Sequence, residues 1–180
     1  RRRRRATRVA DLTPQERLQP ALLDRLTDHE PDKRQESRED RVMGKTRFRQ
    51  AVLRDLAWLF NSTRLEAGFD LSRWPHVQRS VLNYGLPSLS GRAASSLDVA
   101  DLEAAIHQAI LDFEPRILPG TLRVTAIFDD TSIDHHYVIA IEIRGDLWSQ
   151  PVPLELLVRT EIDLETGHID FPDVAAQRTV

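Results

Sequence analysis

From about Val42 the apolar positions recur at helical spacing. Phe48, Val52, Leu56 and Phe60, with Leu59 beside them, fall on one face, while Arg47, Arg49 and Arg54 lie off it. A second, shorter helix is predicted from about His76 to Asn83, starting after Pro75 and stopping at Gly85. The Ser88–Ser96 stretch reads as a loop. A third helix follows, capped by Ser96 or Asp98, with Val99, Leu102, Ile106, Ala109, Ile110 and Phe113 on its buried face. Pro115 should end it near Glu114, because the residue before proline avoids the α region.

Beyond Pro119-Gly120 the period falls to two. Leu122, Val124, Ala126 and Phe128 alternate against Arg123 and Thr125, and Tyr137, Ile139, Ile141 and Ile143 against Glu142 and Arg144. Val152, Leu154, Leu156 and Val158 make a third run, and polar loops at Asp129–Asp134 and Gly145–Gln150 separate the three. The predicted class is α+β: N-terminal helices packed on a small antiparallel three-stranded meander. Such a sheet has two edges, which invite either protection or a partner strand.

The front of the chain is different. Arg1–Arg5 is a self-repelling block expected to be disordered, and Thr27–Arg41 is an almost wholly polar linker containing Pro31. Between them Leu22, Leu23 and Leu26 concentrate apolar surface that cannot form a core alone, so it docks back on the domain or on another molecule. Residues 1–41 therefore read as a basic, partly disordered arm with a leucine-rich docking patch and a linker, and residues 42–180 as the α+β domain.

Charge sharpens this division. The net charge of −3 conceals 15 Lys and Arg against 9 Asp and Glu in residues 1–50, and 4 against 11 in residues 121–180. That gradient favours oriented electrostatic contacts with partners. With 180 residues the chain can bury a real core, and with no cysteine it has neither disulfides nor thiolate metal sites. The absence of cysteine fits a reducing compartment, no window approaches the roughly 18–20 apolar residues of a membrane span, and no secretory pattern is recognisable, so no membrane insertion is expected.

Most candidate chemistry fails on spacing. Gly44-Lys45-Thr46 resembles the end of a phosphate loop, but Glu39 stands where the first glycine is required and no hydrophobic strand precedes it. The cluster Asp129, Asp130, Asp134, His135 and His136 could suggest a metal, yet adjacent strand residues point to opposite faces. A solvated hairpin loop is expected there, with no metal and no cofactor. The arginine block has no aromatics interleaved for base stacking, the first being Phe48, which argues against nucleic acid.

Glu114-Pro115-Arg116-Ile117 is the most informative tetrapeptide, because both charged side chains emerge where a helix meets the sheet. A buried ion pair fixing that joint is the favoured reading. The alternative, Glu114 as a glycosidase acid, needs a second carboxylate that the sequence does not identify, and only 6% of residues are aromatic. An adjacent arginine also favours the ionised carboxylate, which works against an acid role. No catalytic residue is therefore assigned.

Three segments, Leu22-Leu23-Asp24-Arg25-Leu26, Ser80-Val81-Leu82-Asn83-Tyr84-Gly85-Leu86-Pro87 and Glu114-Pro115-Arg116-Ile117, resemble in order and spacing the TssE family. These are baseplate wedge components of the type VI secretion system, related to the small wedge protein of contractile phage tails and grouped as gene 25-like lysozymes. The resemblance runs from about Pro20 to Asp170 and departs at Ser88, where an acidic residue would follow the Leu-Pro. It implies a structural protein that joins the wedge to the contractile sheath and templates sheath assembly, in a baseplate docked at the inner-membrane complex. The implied partners are TssF, TssG and TssK in the baseplate and TssB and TssC in the sheath. It further implies that Leu22–Leu26 contacts the wedge, that Asn83, Tyr84, Gly85, Leu86 and Pro87 form a structural loop, and that Glu114–Ile117 holds the helix to the sheet. A peptidoglycan-cleaving enzyme using Glu114 is the alternative.

Overall fold

A computed structural model of the chain describes residues 21–27, 43–89, 98–127, 138–149 and 152–171. The arginine block, most of the polar linker and the Asp129–His136 cluster lie outside the described residues. The chain is α+β: helices packed on one face of an antiparallel sheet.

The helices are α1 (Leu22–Leu26), α2 (Lys45–Phe60), α3 (Pro75–Gln78) and α4 (Val99–Phe113). The stripe read from the sequence is the buried face of α2, widened by Ala51 and Leu53. Asp98 caps α4, its carboxylate accepting from the Ala100 and Asp101 N–H groups at 2.9 and 3.4 Å. On α4 the residues Leu102, Ile106, Ala109 and Ile110 face inward. Each large side chain buried in this way contributes roughly 1.5–3 kcal/mol.

The strands are β1 (Arg123–Ile127), β2 (Val138–Leu147), β3 (Leu154–Asp163) and β4 (Ile169–Asp170), in the spatial order β1-β2-β3-β4. Pairing Ile141 with Thr160 and Ile143 with Val158 places Ile139, Ile141, Ile143, Leu147, Leu156 and Ile162 on the face that meets α2 and α4. The other face is mainly polar, with Ile127, Val138 and Leu157 exposed on it. There Glu142 accepts from Arg144 and from its cross-strand neighbour Arg159 at 2.5 and 2.8 Å, which holds its carboxyl below the usual range.

The structure departs from the predicted elements at four places. The expected helix His76–Asn83 is broken in two, because the Ser80 hydroxyl accepts from the Leu82 N–H and starts a separate 3-10 turn, Val81–Asn83. Another 3-10 turn, Leu65–Ala67, had no periodic signal. The loop expected at Gly145–Gln150 belongs in part to β2, which runs on through Gly145 to Leu147. The meander also has a fourth strand, too short for alternation to reveal. Asn61, just beyond α2, makes β4 possible: its side chain donates to the Ile169 C=O at 2.9 Å and accepts from the Ile169 N–H at 3.0 Å, imitating a neighbouring strand. Phe171 then packs edge-on to Phe60 with ring centres 5.4 Å apart.

Gly85 joins the turn region to α2. Leu86 N–H donates to the Ser62 C=O at 2.8 Å, and Arg64 N–H donates to the Leu86 C=O at 2.9 Å. Gly85 has φ of 123°, and a Cβ there would stand 2.2 Å from the Ser62 carbonyl oxygen. Replacing it with Ala should cost more than about 2 kcal/mol in urea unfolding. Gly120→Ala, where a Cβ meets nothing within 4 Å, should stay within about 0.5 kcal/mol. Equal effects of the two substitutions would contradict this account of the turn.

Candidate functional site

The site forms where α4 ends. Glu114 is the residue that closes the helix, its N–H donating to the Ile110 C=O at 2.8 Å, and its φ of −122° and ψ of 76° lie outside the α region that a following proline disfavours. The chain turns at Pro115, which is exposed, and Arg116 folds back over Glu114. Its Nε donates to Glu114 Oε1 at 2.6 Å, its Nη2 to Oε2 at 2.5 Å, and its own backbone N–H to Oε1 at 3.1 Å. Both carboxylate oxygens of a side chain that is 3% exposed are thus engaged. The tetrapeptide then runs beside the end of β2: Trp148 N–H donates to the Arg116 C=O at 2.7 Å, Leu118 N–H to the Asp146 C=O at 2.8 Å, and Ile117 bridges to Leu147.

Arg116 reaches further. The same Nη2 donates to Asp55 Oδ2 on α2 at 2.6 Å. Asp55 Oδ1 accepts from Arg54, whose Nη1 donates to Asp24 of α1 at 2.6 Å. Five charges of alternating sign (Glu114, Arg116, Asp55, Arg54, Asp24) therefore connect α4, the end of β2, α2 and α1. Burial works against the Arg116 charge, but Glu114 and Asp55 outweigh it and push the guanidinium above its ordinary value. The planar fork of arginine suits this bidentate duty, which a lysine could not perform.

An open groove of about 630 Å³ lies over the network. Asp55, Glu114 and Arg116 line it together with Leu23, Trp58, Tyr84, Phe113, Pro115 and Trp148. Trp58 and Trp148 are each about half exposed, at 49% and 47%. Tyr84 packs edge-on to Phe113 with ring centres 5.2 Å apart, and its hydroxyl donates to the Asp55 C=O at 3.4 Å. Burial first, then the charges of Asp55 and Glu114, push its phenol up.

The remaining predicted residues divide in two. Asn83 is buried and serves the turns: its Oδ1 accepts from the Glu66 N–H and its Nδ2 donates to the Gln78 C=O, both at 2.9 Å. Gly85, Leu86 and Pro87 belong to that same turn region, and Leu86 is buried in the core. In α1 the polar and apolar residues separate. Asp24 is drawn in by Arg54, while Leu22, Leu23 and Leu26 remain 70%, 44% and 74% exposed and Arg25 faces solvent.

Sequence reasoning missed Asp55, Arg54, Trp58 and Trp148 as members of the site. A signal for Asp55 existed: it lies three residues after Val52 and four before Leu59, on the flank of the buried stripe, where a carboxylate needs a partner. Asp55 is the second carboxylate near Glu114, and it too is committed to Arg116. Among the described residues no group of His, Cys, Asp and Glu could hold a metal ion, and no helix is long and apolar enough to cross a membrane.

A family model described as baseplate wedge protein gp25 matches residues 46–152. The chain belongs to that family and is a baseplate wedge component of a contractile tail system. No curated protein and no solved structure matches the chain.

Removing one partner from this network leaves an uncompensated buried charge. Arg116→Ala should cost about 3–5 kcal/mol, whereas Glu114→Leu with Arg116→Met should recover most of the loss. Asp55→Ala, which leaves the Glu114 fork intact, should cost only about 1–2 kcal/mol. Denaturant unfolding checks all three, and a double variant no more stable than Arg116→Ala would show that packing, not charge pairing, dominates there.

Proposed function

We propose that this gp25-family chain joins the baseplate wedge of a type VI secretion system to its contractile sheath and templates the first sheath ring, as a structural protein and not an enzyme. Its partners on this reading are TssF, TssG and TssK in the baseplate and TssB and TssC in the sheath, with the assembly held in the cytoplasm against an inner-membrane complex. The observation that carries the proposal is the arrangement of α1. Asp24 fastens the helix to α2, yet all three leucines are left outward, beside a groove walled by two half-exposed tryptophans. A free monomer gains nothing from apolar surface presented in this way, whereas a wedge subunit can bury it.

Support for a structural role comes from Glu114. A general acid must reach its substrate, and this carboxylate is buried with both oxygens held by Arg116. An inverting or retaining glycosidase also needs a second carboxylate free to activate water or attack the sugar, and Asp55 is paired to two arginines.

Two measurements test the proposal. Replacing Leu22, Leu23 and Leu26 together with Ser should abolish capture of TssF and TssG by the intact chain while the unfolding midpoint stays nearly unchanged; full retention would contradict the wedge contact. Purified protein should leave a peptidoglycan suspension turbid, and reproducible clearing that Glu114→Gln stops would favour the enzyme instead.

A further inference from the structure

Residues 121–180 carry only 4 Lys and Arg against 11 Asp and Glu, yet three of the four, Arg123, Arg144 and Arg159, stand together on the outer face of the sheet. Arg123 of β1 lies directly opposite Arg144 of β2. Arg159 of β3 lies opposite Glu142, two residues from Arg144 along β2. Side chains paired directly across antiparallel strands have Cβ atoms about 4.5–5.5 Å apart, and like charges at that spacing are destabilising. An anion bound between Arg123 and Arg144 would reverse that cost.

Glu142 sets the geometry of this cluster. Its side chain is 9% exposed, whereas those of Arg144 and Arg159 are 64% and 71% exposed. Its Oε1 accepts from Arg144 Nε at 2.5 Å and its Oε2 from Arg159 Nε at 2.8 Å. Among the described residues neither guanidinium makes a further hydrogen bond, so the terminal N–H groups of both are available to another acceptor. Arg123 spends Nη1 on the Leu122 C=O at 2.7 Å and keeps Nη2 available.

The charge on this face runs in bands. On one side of the arginines stand Asp146 and Glu155, paired across β2 and β3. On the other side Glu161 stands opposite Asp170. The basic band is therefore two rows wide, at about 6.8 Å per row, with carboxylates at both margins. A nucleic-acid backbone or an anionic lipid surface would press negative charge onto those margins as well. A protein segment that sets carboxylates over the band and bases on either side complements all of it. Leu157, 43% exposed in the row of Arg123 and Arg144, adds an apolar contact.

We propose that the outer face of the sheet docks an acidic segment of a partner protein, whose carboxylates are bound by Arg123, Arg144 and Arg159, and that Glu142 is the positioning residue that presents them. The banded charge carries this without recourse to the wedge and sheath partners named above. A buried carboxylate that holds two guanidiniums by their Nε atoms lowers the ordering cost of using their outer N–H groups. The planar fork of arginine suits carboxylates in particular.

NMR of the full chain reads this surface at the arginine Nε–Hε resonances. The probe is a blocked peptide, Lys-Ser-Glu-Ser-Glu-Ser-Lys, with no net charge, and its control has glutamine in place of both glutamates. The glutamate peptide should shift Arg123, Arg144 and Arg159 saturably, and the control should leave them unmoved. Arg123→Gln with Arg144→Gln should weaken binding roughly 3–10-fold, as expected for two exposed charge pairs. Glu142→Gln separates positioning from charge. It removes a negative charge from the band, so attraction alone predicts tighter binding, whereas loss of the Nε anchors predicts binding roughly 2–5-fold weaker. Unchanged β2–β3 amide resonances in each variant would show that the sheet is intact. Tighter binding by Glu142→Gln would overturn its positioning role. Equal shifts with inorganic phosphate would reduce the surface to a small-anion site, and shifts with duplex DNA alone would make the partner a nucleic acid; either overturns the protein segment. Shifts that grow with the chain's own concentration would replace the separate partner with a second copy. No saturable shift with the glutamate peptide would overturn the docking surface itself.

Discussion

The fork of Arg116 onto Glu114 and Asp55 is the contact on which the rest of the structure depends. A carboxylate buried at a helix end is expensive unless its lone pairs are engaged, and here one guanidinium engages both oxygens while also reaching α2. The same residue offers its carbonyl to Trp148 beyond β2. One side chain and its backbone thus fix the relative placement of α2, α4 and the sheet. Pro115 makes this possible, because a helix continuing past Glu114 would carry Arg116 away from both partners.

This joint also organises the surface that carries α1. Through Asp55 and Arg54 it reaches Asp24, so the outward leucines of α1 are held by the chain of charges that closes the core. Arg49, five residues before Arg54 on the same helix, lies about 140° around the axis and donates to the Leu157 C=O of β3. The groove beside Asp55 and the Arg49 contact to β3 are therefore carried on different sides of α2.

Much of this was legible from residue patterns. The α2 stripe, the Asp98 cap, the stop at Glu114 and the period change after Gly120 all reflect local rules that the packed structure obeys. Where local rules compete, the pattern misled. Ser80 looked like an interior helical residue but is a cap, and Gly145 looked like a loop residue but lies within β2, where the Ile117 side chain approaches closely. The β4 strand was invisible because two residues have no periodicity and its partner is the Asn61 side chain. At the site, Glu114 and Arg116 were readable because they are adjacent in sequence. Asp55, 61 residues from Arg116, required the tertiary fold.

The three-way joint requires that Glu114 and Asp55 act through one shared arginine. A double-mutant cycle with Glu114→Gln and Asp55→Asn, read by denaturant unfolding, measures this directly. Sharing predicts a clearly non-additive result, with a coupling of about 0.5–3 kcal/mol. Strict additivity would mean that the two carboxylates are stabilised independently, and the three-way joint would have to be abandoned.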